Sequence, residues 1–139
     1  AVVPDAQARF DAAGMSDRTT ITPGSFRAQS LPVGADAVSL IRVLYDHSDE
    51  TVRALLARVY AALPAGGRLI ISEPMGGGAR PDRAGDVYFA LYTMAMQTGR
   101  ARSAAEIEAL VAEAGFTQIR SPKPARAYVT RTLTAIRPN

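Results

Sequence analysis

The feature that most restricts the fold is a strand–helix–strand unit across residues 35–74. "ADAVSLIRVLY" is mostly apolar on both faces over residues 37–44, the pattern of a parallel strand buried on both sides. "SDETVRALLARVYAALPAGG" then reads as a helix. Ser48 is its N-cap, and Asp49 and Glu50 lie in the first turn, where carboxylates oppose the helix dipole. Val52, Leu55, Leu56, Val59 and Leu63 follow at helical spacing, and Pro64 with Gly66-Gly67 ends the run. "RLIISEP" is a second apolar strand. Two such strands joined by an amphipathic helix are the signature of a parallel crossover.

The flanking segments extend this alternation. "VPDAQARFDAAG" predicts a helix closed by Gly14, and "RTTITPGS" a strand closed by Pro23-Gly24. "MGGGARPDRAG" is a loop. "DVYFALYTMAMQTG" is an apolar helix with Val87, Leu91 and Met94 on one line, for which ordinary helix packing is the simplest expectation. In "SAAEIEALVAEAGF", Ser103 and Glu106 form a capping box, and Gly115 ends the helix. "TQIRSP" and "AYVTRTLTAIRP" close the chain as two antiparallel strands; in the last, Tyr128, Thr130, Thr132 and Thr134 alternate with Val129, Arg131, Leu133 and Ala135. The expected class is α/β, one domain over residues 1–139, with a mostly parallel sheet and an antiparallel C-terminal strand.

Composition removes several chemistries. The chain has no cysteine, so disulfides and thiol nucleophiles are excluded, and its one histidine, His47, argues against a protein-built metal site. The net charge is +3, and all but one of the 16 Lys and Arg residues are arginine. They are spread along the chain among acids, without a basic block, so no nucleic-acid partner is expected.

In an open α/β sheet, ligands bind beyond the C-terminal ends of the strands. Three such ends are readable: "PGSF", "YDHSD" and "SEPMGGG". They nominate Ser25, Phe26, Tyr45, Asp46, His47, Ser72 and Glu73. Simpler roles stay open: turn chemistry for Ser25, core packing for Phe26, helix-terminus charge for Asp46. Glu73 is harder to dismiss. A carboxylate at the mouth of a buried strand needs a partner or a ligand.

The stretch "LYDHSDETVRALLARVYAALPAGGRLIISEPM" resembles the two-domain S-adenosylmethionine-dependent O-methyltransferases, including the plant caffeate-type and acetylserotonin enzymes. In that family a strand runs into "HDWSDE", a helix ends near "PGG", and the next strand ends in Glu. "YTMAMQTGRARSAAEIEALVAEAGF" is similar to the stretch that follows, and "LIRVLYDH" with "FALYTMAMQTGRARS" looks most like the bacterial carotenoid branch, which acts on hydroxyneurosporene or demethylspheroidene. The resemblance implies an incomplete Rossmann-like methyltransferase domain. It also implies S-adenosylmethionine as cofactor and a hydroxylated carotenoid or similar apolar alcohol as acceptor. It implies a homodimer in the full-length protein, in the cytoplasm with peripheral contact to the inner membrane. The family's glycine-rich loop, ribose-binding acid and N-terminal helical domain would precede residue 1. The chain is therefore expected to be a C-terminal part that alone neither binds cofactor tightly nor turns over.

Residue by residue, the family's catalytic histidine falls on Tyr45, and its strand-end Glu on Glu73. Asp46 matches outright, and His47 takes the Trp position. Ser25 takes the place of the adenine-contacting acid, with Phe26 beside it. Arg42 adjoins the family's cofactor lysine position at Ile41. Tyr92 and Met94 suit a long apolar substrate. If the strand persists to residue 47, Tyr45 and His47 share a face, and His47 is the better proton acceptor. As the residue before the Ser48 cap, His47 instead packs toward Val52 or the cofactor's adenine, while Tyr45 positions the acceptor hydroxyl. Two other readings compete. A nicotinamide-dependent reductase would need a Tyr-x-x-x-Lys pair, which the chain lacks. A catalytically silent binding remnant is suggested by the lost histidine and by the loss of a second family Glu, whose position falls on Ala104.

Overall fold

The computed structural model describes residues 2–122 and 130–139. Tyr128 and Val129 of the expected last strand lie outside the described residues. The chain runs α1 (Val3–Ala12), β1 (Ala37–Ile41), α2 (Asp49–Ala62), β2 (Arg68–Gly76), α3 (Phe89–Met96), β3 (Arg102–Ser103), α4 (Ala104–Glu113), β4 (Thr117–Arg120) and β5 (Thr130–Ile136). A one-turn π-helix, Arg83–Tyr88, leads into α3, so the apolar helix starts irregularly.

The main path of the sheet is β1-β2-β5-β4, with β3 paired to the end of β2. Strands β1 and β2 are parallel, from Ala37↔Arg68 to Ile41↔Ser72. Strand β5 runs antiparallel to both β2 and β4. Four strands thus share one direction and β5 alone reverses, which is the expected mixed sheet with an antiparallel C-terminal strand.

The core lies on one face of the sheet. Val52, Leu55, Leu56 and Val59 of α2 meet Leu69 and Ile71 of β2, Leu133 and Ala135 of β5, and Ile107, Leu110 and Val111 of α4. Each fully buried aliphatic side chain contributes roughly 1.5–3 kcal/mol, so this cluster dominates stability. The caps form as the sequence demands: Ser48 Oγ accepts from the Thr51 N–H, and Ser103 and Glu106 make a complete capping box.

Four expectations are corrected. No strand forms over residues 19–23. A strand needs a neighbour to accept its ladder bonds, and β1 pairs only with β2 among the described residues. Strand β1 is consequently an edge, with Ile41 54% exposed, not a strand buried on both faces. It also ends at Ile41: Arg42 takes a left-handed conformation (φ 55°) and Leu44–Asp46 form a 3₁₀ turn. Tyr45 and His47 therefore do not share a strand face. Lastly, Val87, Leu91 and Met94 are more than half exposed, so α3 packs inward mainly through Phe89 and Thr93.

Candidate functional site

The site is built around the turn that follows β1. Glu73, 1% exposed, stands at the mouth of β2 and turns back onto it. Its Oε1 accepts the backbone N–H groups of Val43 (2.7 Å) and Leu44 (2.8 Å), and its Oε2 that of Tyr45 (3.4 Å). The partner that a buried carboxylate requires is thus the turn's own backbone. Burial raises the Glu73 pKa, against the lowering effect of those N–H groups.

Tyr45 is buried beside α3. Its ring meets Phe89 edge-on at 5.6 Å and Tyr92 at 5.8 Å. The Arg42 guanidinium carbon lies 5.8 Å from the Tyr45 ring centroid and 5.9 Å from that of Phe89, within cation–π range. The neighbouring Tyr45 hydroxyl raises the pKa of Arg42 by hydrogen bonding, and that of Tyr92 by the same means. The result is a cluster of one cation, two phenols and a phenyl ring.

On the other side of the turn, His47 faces Phe26, with ring centroids 5.2 Å apart. Arg27 Nη2 donates to His47 Nδ1 at 3.1 Å. A guanidinium has no lone pair to offer, so Nδ1 is the acceptor and the ring's remaining proton sits on Nε2. Burial first, and then the Arg27 charge, lower the His47 pKa, so the ring is neutral near pH 7. It packs on Phe26, which the loop rather than a strand delivers. Ser25 beside it is occupied locally: its Oγ accepts from the Arg27 N–H and its own N–H donates to Gln29 Oε1. Between Tyr45 and His47, Asp46 Oδ1 is buried without a hydrogen-bond partner among the described residues.

A cleft of about 580 Å³ opens next to the turn, lined by Asp86, Thr93, Met94, Gln97 and Gly99 among others. Of the nominated residues, Phe26, Arg42, Tyr45, Asp46, His47, Glu73 and Tyr92 surround one turn; Met94 lines the cleft, and Ser25 remains in its own turn. The O-methyltransferase domain family matches residues 1–117. The chain belongs to that family. It is 55% identical over 138 residues to demethylspheroidene O-methyltransferase of Cereibacter sphaeroides, covering 99% of this chain and 36% of that protein. It is 37% identical to mouse (Mus musculus) acetylserotonin O-methyltransferase, over 91% of this chain and 34% of that one. Among solved structures, PigF with SAH aligns at a TM-score of 0.79 and 26% identity, over 98% of this chain and 40% of that chain. The chain spans about a third of the length of the curated relatives it matches.

Sequence reasoning missed one buried charge that contacts this turn. Arg102 is 1% exposed and reaches back to the turn and to Asp49. It lies in the "GRARS" stretch that carries the resemblance, but local sequence does not mark it as buried, and Asp49 reads only as first-turn charge.

Proposed function

We propose that the full-length protein transfers a methyl group from S-adenosylmethionine to a hydroxyl oxygen of an apolar acceptor, a hydroxylated carotenoid. The observation that carries this reading is the turn at residues 45–47. There a buried Asp46 Oδ1, without a partner among the described residues, lies between an aromatic face (Phe26, His47) and a phenol–guanidinium cluster (Tyr45, Tyr92, Arg42).

These residues fit such a donor. Asp46 Oδ1 can accept from a polar hydrogen, Phe26 and His47 offer flat rings for an adenine, and Arg42 supplies a cation; Ser25 and Phe26 adjoin them. The donor, when bound, supplies an electrophilic methyl group. The chain's own residues hold and orient. Tyr45, steadied by Arg42 and Tyr92, offers a hydroxyl to position the acceptor oxygen. As the oxygen–methyl bond forms, the sulfonium–methyl bond breaks and the donor departs as a neutral thioether; a tertiary alcohol does not ionise near neutral pH, so its proton passes to water with or after the methyl group. Proximity then supplies most of the rate, and a base adds a smaller factor, roughly 100- to 10,000-fold where one exists. Glu73 has its oxygens committed to backbone donors, and His47 presents a protonated Nε2. Both are read as shaping the site, with Glu73 next to the reacting groups.

The exposed apolar row of Val87, in the π-turn, and Leu91 and Met94, on α3, supports an apolar acceptor, with Tyr92 and Met94 as its contacts. The full-length protein is further proposed to be a cytoplasmic homodimer that touches the inner membrane to collect such a substrate. Among the described residues no helix is long and apolar enough to cross a membrane.

The test uses full-length protein, methyl-labelled S-adenosylmethionine and demethylspheroidene. Label should appear in a carotenoid methyl ether; retention of all label in the donor overturns the assignment. The His47→Ala variant should keep normal turnover at saturating cofactor and bind the cofactor more weakly. A collapse of turnover at unchanged cofactor affinity would make His47 the base.

A further inference from the structure

We propose that Arg102 and Gly99 are positioning residues, which together hold the Tyr45–Asp46–His47 turn from its carbonyl side and tie it to α3. The idea rests on the methyl-transfer reading for its kinetic consequence only; the clamp itself is a matter of backbone order.

Arg102 carries a full charge yet is almost entirely buried. Burying a guanidinium is costly unless its donors are satisfied. Here they are. Nη1 donates to the Leu44 carbonyl at 2.9 Å, and Nη2 to the His47 carbonyl at 2.8 Å. Nε and Nη2 reach Asp49 Oδ1 at 2.8 and 2.6 Å. Arg100 holds the other Asp49 oxygen at 3.1 Å.

An ion pair alone would not need this burial. The Arg53–Glu113 pair links α2 to α4 with both side chains about half exposed. What burial adds at Arg102 is contact with three carbonyls: those of Leu44 and His47, which bracket the turn, and that of Arg100 at 3.4 Å. Glu73 grips the same turn through its N–H groups. The turn is thus fixed by a carboxylate on one side and a guanidinium on the other. Only a planar fork with five donors serves three carbonyls and a carboxylate at once.

Gly99 supplies an independent contact. It sits at φ +75°, and a Cβ there would strike the Tyr45 carbonyl oxygen and come within 2.6 Å of the Asp46 carbonyl carbon and 2.8 Å of the His47 nitrogen. The segment at 99–102 therefore lies directly against the turn's backbone. It follows at once on α3, whose Tyr92 packs on Tyr45 and whose Met94 lines the cleft. Acceptor-side helix and turn become one mechanical unit.

The experiment compares full-length Arg102→Lys and Arg102→Met with Arg53→Met, which cuts the exposed α2–α4 pair. Three quantities are read: melting temperature, amide exchange at residues 45–47, and turnover per folded molecule at saturating substrates. In Arg102→Lys, exchange at the turn should rise about tenfold or more, and kcat should fall roughly 10- to 100-fold, with acceptor KM changed by less than about threefold. Arg53→Met should move neither exchange at the turn nor kcat. If Arg102→Met does not fold, Arg102→Lys decides. Lower melting temperatures with unchanged exchange and unchanged turnover would reduce Arg102 to a structural ion pair and overturn the proposal. If the unsubstituted protein transfers no methyl group, the function fails on its own, and the exchange comparison still decides the clamp.

Discussion

At the scale of single residues, the site is organised by charges turned onto backbone. Glu73 takes three N–H groups that would otherwise point into a dry interior. Replacing it with Gln keeps an acceptor for Val43 and Leu44, but sets an NH₂ group against the Tyr45 N–H. Unfolding in urea should show a loss of about 1–3 kcal/mol for Glu73→Gln. Glu73→Ala should lose more, because all three donors are stranded. A Glu73→Ala protein as stable as the parent would mean that water replaces the carboxylate without penalty.

At the scale of elements, the capped helices behave as local sequence dictates, and α4 is the clearest case. The Ser103 N–H donates to Glu106 Oε2 at 2.8 Å, and the Glu106 N–H to Ser103 Oγ at 3.3 Å. Ser103→Ala should cost about 1 kcal/mol in a melting experiment. The Ser103 N–H first, and then Arg100, hold the Glu106 carboxyl down to about 2, below its ordinary 4.5. A carboxylate with a lowered folded pKa stabilises fully above its unfolded value, and that contribution disappears as pH falls through the folded one. The stability difference between the parent and Glu106→Gln should therefore shrink between pH 4.5 and about 2. A difference that stays constant through this window would show that charge plays no part in the cap. Strand β1 shows the opposite case. Its sequence reads as buried, and its position at the sheet edge leaves Ile41 in solvent.

For the whole molecule, the sheet carries its core on one face, and the loop that holds Phe26 has no strand behind it. Alternate residues Ile70 and Ser72 of β2 are half-buried on the other face, and α1 buries none of its residues. A donor resting on Phe26, Arg42 and Asp46 alone would have few fixed contacts. The 139-residue chain by itself should therefore bind S-adenosylmethionine more weakly than micromolar in calorimetric titration. Micromolar binding would show that this rim suffices.

What the sequence determined by itself is what depends on near neighbours. Ser48 and Ser103 cap, Gly14 and Gly115 terminate, the α2 residues at spacings of three and four form one buried stripe, and a carboxylate after "LIIS" demands a partner. The order of motifs pointed to the family, although no single motif would. Tertiary structure decided whatever depends on distant residues. The 19–23 segment lacks a strand because a ladder bond needs a partner that local propensity cannot supply. Tyr45 and His47 part company because Arg42 leaves the extended conformation. Arg102 becomes a buried clamp only because folding brings it to a carbonyl 58 residues earlier in the chain. Periodicity and capping act over one or two helical turns, whereas strand pairing and buried charge are settled by whatever the completed fold places alongside.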